Sequence, residues 1–391
     1  MKTKICVVSS SRADYGLLKS IILEIDSSEF FDLQLIVTGS HLSKKHGFTI
    51  EEIINDNLKI DKEIPIIIRT NTKEDIGLNV GRAVTKMIKS ISNLQPNIVL
   101  LLGDRYEIFS TAIASFFLNI PIVHIHGGEV TEGAIDDMIR HSITKLSHIH
   151  FASTLTHKKR IIQMGEQPKN VYNVGALGVE NLKKIKLLNV KALEKEIQFK
   201  FQKKNIIVTY HPVTLDEDPI HGIDILLDTL NNFKHIGIIF TYSNADISGT
   251  EIIRKIIKFQ KQNPNSKVYS SLGQLKYLSC LKQCNGMIGN SSSGIIEAPS
   301  LKTWTINIGN RQKGRIKAES VFDVKADKKQ ITAKLNDLLN QSNSFQKINY
   351  KNPYNKNNTT KIIIDTLKKI NKEKIVNKSF FDIQYTLKHF K

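Results

Sequence analysis

Short, largely apolar runs alternate with amphipathic stretches along the first half of the chain. Ile5–Ser9, Asp32–Thr38, Ile98–Leu102, Pro121–Ile125, His148–Ala152 and Val171–Val174 read as strands, and Ile98–Leu102 (IVLLL) is apolar throughout. A strand without polar alternation is covered on both faces, as in a parallel sheet. Between these runs, Ala13–Glu24, Ile76–Asn93, Tyr106–Leu118 and Asp137–Lys145 carry apolar residues at helical spacing. The alternation predicts a doubly wound α/β sheet. After a Lys-rich, weakly patterned stretch (Lys183–Lys204), a second alternation begins, with strands at Asn205–Tyr210, Ile236–Tyr242, Lys267–Ser270, Gly286–Gly289 and Thr303–Ile308. Two doubly wound domains are expected, over residues 1–180 and 181–360, with a ligand cleft between them. Thr359–Ile375 is again apolar at helical spacing, so residues 361–391 are expected to form a helical tail that packs back on the body.

At 391 residues and 40% hydrophobic content, the chain is long enough to bury two cores. No apolar run approaches the ~18 residues of a membrane span, and the start, MKTKICVVSS, lacks the pattern of a signal peptide. A soluble, cytoplasmic protein with no membrane partner is expected. Cys6, Cys280 and Cys284 are too few for a disulfide framework, and no His or Cys pair accompanies the latter two, so core thiols are expected and no metal site. The net charge of +19 comes largely from lysines scattered among Asn and Ile, notably at 183–204 and 351–391. No helix-turn-helix, zinc finger or aromatic stacking platform accompanies them, so a nucleic-acid partner is not expected. A basic surface does favour a polyanionic small ligand such as a nucleotide diphosphate.

The richest chemistry lies at 124–145, HIHGGEVTEGAIDDMIRHSITK. His124, His126, Glu129, Glu132, Asp136, Asp137, Arg140 and His141 crowd around Gly127-Gly128 at the end of a buried strand. Open α/β sheets bind ligands at such strand ends, and clustered titratable groups there serve proton transfer. A solvated helix start accounts for Asp136, Asp137 and Arg140, but not for a Gly-Gly between two histidines and a glutamate. Other strand ends repeat the pattern. Ser9–Gly16 (SSSRADYG) offers Arg12 for an anion, or merely a serine helix cap beside a solvated arginine. Thr38–His41 ends the second strand. Gly103-Asp104-Arg105 follows IVLLL, where Asp104 either caps the next helix or pairs with the 124–145 carboxylates. Tyr210-His211-Pro212 ends the first strand of the second half. Asn290-Ser291-Ser292-Ser293-Gly294 then leads into a helix start that can cradle a diphosphate. Glu297, in that helix's first turn, serves either the helix dipole or a ribose, and Asn307–Arg315 adds Arg311 and Arg315. Neither a GxGxxG fingerprint nor a Walker P-loop is present, which counts against dinucleotide redox and P-loop hydrolysis.

Taken in order, SSSRADYG (9–16), VTGSHL (37–42), GDRYE (103–107), HIHGGE (124–129), IDDMIRHSITK (135–145), YHPVTL (210–215), SNAD (243–246), GNSSSGIIEAPS (289–300) and NIGNRQKGR (307–315) resemble the UDP-N-acetylglucosamine 2-epimerase family. The likeness is to its hydrolysing branch, of the sialic acid biosynthesis type, and runs to about Val324. It implies two Rossmann-like domains facing a cleft (GT-B-like), with the nucleotide held mainly by the C-terminal domain. It implies no cofactor, a UDP-sugar substrate and a homo-oligomer. UDP leaves C1 as a base takes the C2 proton, giving a 2-acetamidoglucal; water then adds and C2 is reprotonated on the other face. UDP and N-acetylmannosamine are the products. By the same resemblance, Asp104, His126, Glu129, Asp136 and His211 are catalytic. Arg12, His41, Arg105, Asp137, Arg140, His141, Asn244, Ser291, Ser292, Ser293, Gly294, Glu297, Arg311 and Arg315 bind substrate or nucleotide.

The string departs from the family in two respects: HIHGGE has His126 where relatives often carry Glu, and the segment before Asp136-Asp137 is one residue longer. Either Glu129 or His126 therefore transfers the proton, and imidazole is competent for it. The nearest rival is the same reaction on UDP-2,4-diacetamido-2,4,6-trideoxyglucose or a GDP-linked sugar. A glycosyltransferase on the same fold would not need the carboxylate cluster, and turnover would exclude a nucleotide-sugar binding module.

Overall fold

The computed structural model describes residues 2–44, 47–66, 72–213, 216–243, 248–340, 349–371 and 375–384. Two parallel sheets organise them. The first contains β1 (Thr3–Ser9), β2 (Phe31–Thr38), β3 (Lys62–Ile64), β4 (Ile98–Leu102), β5 (Ile122–Ile125), β6 (Ile149–Ala152) and β7 (Val171–Asn173), in the order β3-β2-β1-β4-β5-β6-β7. The second contains β8 (Asn205–Thr209), β9 (Gly237–Thr241), β10 (Ser266–Tyr269), β11 (Gly286–Gly289), β12 (Trp304–Ile308) and β13 (Val321–Val324), in the order β10-β9-β8-β11-β12-β13. Two doubly wound α/β sheets are thus present, as the alternating runs predict.

The central strands read as unbroken apolar runs because both their faces are covered. Successive side chains point to opposite faces of a strand. Accordingly Ile5 and Val7 join one cluster with Leu18, Ile22 and Leu100, while Cys6 and Val8 join another with Met87, Val99 and Ile108. In the second sheet, Ile206 and Val208 pack on one side and Ile207 on the other. All three cysteines are buried free thiols.

Two strands escape the hydrophobic pattern. β3 spans three residues, two of them exposed, and β13 is half-exposed at the sheet edge, so neither carries an apolar run. The Lys-rich 183–204 stretch is also better ordered than its pattern implies. It contains the helix Val190–Ile197, capped by the Asn189 carboxamide, whose Leu193 and Ile197 are core residues beside β8. The C-terminal helix runs from Thr359 only to Lys368, short of Ile375. Its Ile363, Ile364 and Leu367 complete the core of the first sheet. Among the described residues, no helix is long and apolar enough to cross a membrane.

Both sheets reverse their winding in mid-sheet, between β1 and β4 and between β8 and β11. Ligand crevices of doubly wound sheets open at such points, beyond the carboxyl ends of the strands. The loops there are Ser10–Arg12 and Gly103–Arg105 in the first sheet, and Tyr210–Pro212 and Asn290–Ser292 in the second. The motif-bearing segments therefore sit at the mouths of the two sheets.

Because Leu367 is buried in the first core, Leu367→Ala is expected to destabilise the protein by about 2–5 kcal/mol. Urea denaturation checks this; an unchanged midpoint would detach the helix from the fold.

Candidate active site

The loop after β5 reverses sharply. His126 adopts φ 66°, a left-handed conformation that costs a non-glycine residue roughly 1–2 kcal/mol. The turn aims His126 into a cavity lined also by Asp104, Arg105, Glu129, Asp136, Arg140, Glu297, Arg311 and Arg315. Leu17, Leu102, Ala134 and Ile296 form its apolar wall.

Arg140 organises this end. Its side chain is 1% exposed, on the helix Asp136–Leu146, and a charge so buried must be matched by acceptors. Nη2 donates to Asp104 Oδ2 and, at 3.1 Å, to Thr131 Oγ1; Nη1 donates to the Glu129 carbonyl at 2.9 Å and to Asp137 Oδ1 at 3.2 Å. Asp104 does not cap the following helix, whose N-cap is Arg105 with no side-chain bond. Burial alone would raise the Asp104 carboxyl, but Arg140, with help from Arg315, holds it below the ordinary carboxylate range.

Glu129 is fixed by two partners. Arg315 Nη1 lies 2.6 Å from Oε2, and Ser153 Oγ donates to Oε1 at 2.8 Å. Burial pushes this carboxyl up, but Arg315 foremost, then His157 and His126, bring it well below its ordinary value. His126 is buried and its pKa is lowered mainly by that burial, against the pull of Glu129. Its Nε2 accepts from the Leu177 N–H at 3.4 Å.

A second cavity adjoins the first and shares Leu17, Ser292, Glu297 and Arg311 with it. Arg12, Thr209, His211, Tyr277, Ser291 and Ser293 also line it. The His211 backbone is pinned to Asn290: its N–H donates to Oδ1 at 2.7 Å and its carbonyl accepts from Nδ2 at 2.8 Å. Burial, with Arg311 and Arg105, drives the imidazole pKa well down, so His211 is neutral. Arg12 is no solvated arginine. Its guanidinium reaches across the cleft to Ser271, while Ser11 caps the helix Arg12–Asp26.

Glu297 corrects one expectation. The helix after β11 is a single turn, Ser293–Ile296, and Glu297 stands at its C-terminal end rather than in its first turn. It is also the N-cap position of the short helical turn Ala298–Leu301, without a side-chain capping bond. Its environment is instead the cleft, where burial pushes it up to about 7. Gly178 leaves the necessary room, since a Cβ there would stand 2.1 Å from Glu297 Oε1. Gly294, next to the turn, packs on Thr305.

Not every expected residue reaches a cavity. His41 is fully buried behind β1, held by Ser9 Oγ and Thr49 Oγ1 at 2.9 Å each, with its pKa lowered to about 4 mainly by burial. His141 pairs at 3.5 Å with Asp137, which also accepts from the Thr131 N–H at 2.6 Å; neither lines the cavities, whereas Asp136 does. Asn244 lies outside the described residues, as do 214–215 and 245–246 of the quoted strings. Asp14, Gln274, Tyr277 and Gln312 also line the cleft, beyond the expected site residues. Gln274 and Tyr277 sit one turn apart on the helix Gly273–Gln283, on the same face as core residues Leu278 and Leu281, and Leu278 lines the cavity with them. By spacing alone that face reads as a core stripe, so the sequence carried no local signal for its two polar cleft residues. Among the described residues, no group of three or more His, Cys, Asp or Glu is placed to hold a metal ion.

The sequence model of the family described as UDP-N-acetylglucosamine 2-epimerase matches residues 23–368. The chain is 42% identical to the GDP/UDP-N,N'-diacetylbacillosamine 2-epimerase (hydrolyzing) of Campylobacter jejuni, over 98% of this chain and 100% of the relative. It is 40% identical to the polysialic acid biosynthesis protein P7 of Escherichia coli, over 97% of each chain. Identity to the UDP-N,N'-diacetylbacillosamine 2-epimerase (hydrolyzing) of Legionella pneumophila is 35%, over 95% of this chain and 97% of the relative. The fold matches that of the Neisseria meningitidis UDP-GlcNAc 2-epimerase bound to UDP-GlcNAc, with a TM-score of 0.80 at 20% identity, covering 94% of this chain and 100% of that one.

The raised Glu297 gives a signed pH effect. Its folded pKa of about 7 exceeds the ordinary 4.5, so its contribution to stability is full below pH 4.5 and is lost as pH rises through 7. Between pH 5 and 8 the wild type is expected to lose on the order of 1–3 kcal/mol more than Glu297→Gln does. Urea midpoints of the two proteins at both pH values read this; parallel losses would contradict it.

Proposed function

The chain belongs to the UDP-N-acetylglucosamine 2-epimerase family, and from that premise we propose that it is a hydrolysing 2-epimerase of a nucleotide-linked 2-acetamido sugar. The observation that carries the reading is the meeting of Asp104, Asp136, His126 and Glu129 in one cavity that shares lining residues with a second, lined by His211, Arg12, Arg311 and the Ser291–Ser293 turn. Acid and base groups for a sugar thus adjoin donors for a diphosphate.

In this reading the nucleotide lies in the second cavity, near Arg12 and Arg311, with Glu297 toward its ribose. Neutral His211 donates a hydrogen bond to the diphosphate as the C1–O bond breaks and UDP departs. A base removes the C2 proton, leaving the 1,2-unsaturated 2-acetamido sugar. Asp104, kept ionised by Arg140, is competent for one such transfer. Water then adds at C1, and a group on the opposite face, from Asp136 or the 126–129 turn, returns a proton to C2. The free 2-epimer and the nucleotide diphosphate are released.

As substrate we propose first a nucleotide-linked N,N'-diacetylbacillosamine, a 2,4-diacetamido-2,4,6-trideoxy sugar. Two hydrolysing relatives at 42% and 35% identity carry that substrate in their names, and the apolar wall of Leu17, Leu102, Ala134 and Ile296 suits a deoxy carbon and acetamido methyls. The second reading is UDP-N-acetylglucosamine, favoured by the 40% identity to a polysialic acid biosynthesis protein. A C6 hydroxyl distinguishes the two, and a site built to bond it discriminates strongly. Comparing kcat/KM for the UDP-linked and GDP-linked diacetamido sugars and UDP-N-acetylglucosamine tests the order. A higher value for a diacetamido sugar is expected; preference for UDP-N-acetylglucosamine would reverse it.

Asp104→Asn is expected to lower kcat by roughly two or more orders of magnitude, the scale of a lost acid/base group, with UDP affinity near that of the wild type. Retained turnover would remove Asp104 from the chemistry.

A further inference from the structure

Arg315 and Glu129 belong to different sheets yet share one buried contact. Arg315 follows β12 and Glu129 follows β5, and their side chains are 8% and 3% exposed at 2.6 Å separation. Each Glu129 oxygen already has a partner from the chain, Oε2 in Arg315 and Oε1 in Ser153, which also pairs with His157 Nδ1 at 2.9 Å. The two loops touch along their length. The Glu132 N–H donates to the Lys313 carbonyl at 3.1 Å, and Lys313 Nζ lies 2.7 Å from Glu132. A Cβ on Gly133 would stand 2.7 Å from the Asn310 carbonyl oxygen, and one on Gly314 would stand 2.4 Å from Val130. The same loop carries Arg311 and Gln312, which donate to the Asn290 carbonyl at 3.1 and 2.9 Å, at the head of the Ser291–Ser293 turn. A continuous path thus joins the nucleotide turn to the acid/base loop.

We infer that Arg315 is a positioning residue acting through Glu129. The pair fastens the acid/base loop of the first domain to the nucleotide loop of the second. Glu129 is its anchor, and proton transfer falls to Asp104, Asp136 and His126. The inference rests on the reaction proposed above, and under it His126 rather than Glu129 is the residue of HIHGGE that does the chemistry. His126 lines the cavity and takes no part in that ion pair, its Nε2 accepting from the Leu177 N–H.

Removing one partner of a buried ion pair leaves an uncompensated charge and costs more than removing both. The test is a double-mutant cycle on the full chain, Glu129→Gln, Arg315→Met and both together, with Arg315→Lys as the conservative variant. The readouts are kcat, KM, UDP Kd by calorimetry, and Tm. Arg315→Met is expected to lower kcat by at least about 10-fold with UDP Kd within about 3-fold of wild type, and the double variant to regain several-fold of that loss. Arg315→Lys should retain more activity than Arg315→Met. A loss of about 1000-fold or more in Glu129→Gln, unrelieved in the double variant, would make Glu129 the proton-transfer group and overturn the inference. So would weakened UDP binding with kcat intact in Arg315→Met, which would make Arg315 a nucleotide ligand. If the wild type turns over none of the nucleotide sugars, the reaction fails and the pair is judged on Tm alone. Recovery of Tm in the double variant upholds it, and additive losses refute it.

Discussion

A guanidinium cannot be buried without acceptors arranged around it, and Arg140 is the largest fully buried side chain of the described residues. Its acceptors come from three segments: Asp104 after β4, the Glu129 carbonyl and Thr131 after β5, and Asp137 on its own helix. Satisfying one charge therefore sets the mutual positions of the loops that carry the candidate acid/base groups. It also keeps Asp104 ionised where burial would otherwise favour the neutral acid. Stability and reactivity depend here on the same contact. For that reason loss of Arg140 would disturb fold and site together, and it is a poor probe of mechanism by itself.

The second domain contributes by closing over this arrangement. Arg12 reaches from the first sheet to Ser271, and Arg315 reaches from the second to Glu129. Glu297 touches both cavities and is held near neutrality by burial. Ligand crevices of doubly wound sheets lie at such strand ends. In the proposed reaction one mouth supplies proton-transfer groups and the other supplies donors for a diphosphate.

Much of this was legible in the sequence, for identifiable reasons. Strands covered on both faces cannot hide, so IVLLL and NIIVT announce β4 and β8. The chemistry-bearing turns were legible because Gly, Ser and charged residues follow such runs abruptly. What was hidden depended on distance in space. His41 looks like a ligand residue beside Gly39-Ser40, but its ring nitrogens are both taken by Ser9 and Thr49. His141 and Asp137 pair with each other on the helix while Asp136, one position away, faces the cavity. Nothing local tells these cases apart. β3 and β13 are short or half-exposed edge strands that carry no apolar run, whereas the capture of the C-terminal helix by the first core depends on partners far along the chain. The Glu129–Arg315 pair, 186 positions apart by subtraction, belongs to the same class.

The proposed reaction exchanges a carbon-bound proton at C2 while the nucleotide is lost. Proton NMR of the protein with a nucleotide-linked N,N'-diacetylbacillosamine, and in parallel with UDP-N-acetylglucosamine, in deuterated water tests it most directly. Release of the nucleotide diphosphate together with a free 2-epimer carrying deuterium at C2 is the expected result. A released sugar of unchanged configuration with hydrogen retained at C2 would mean simple hydrolysis at C1 and would contradict the mechanism.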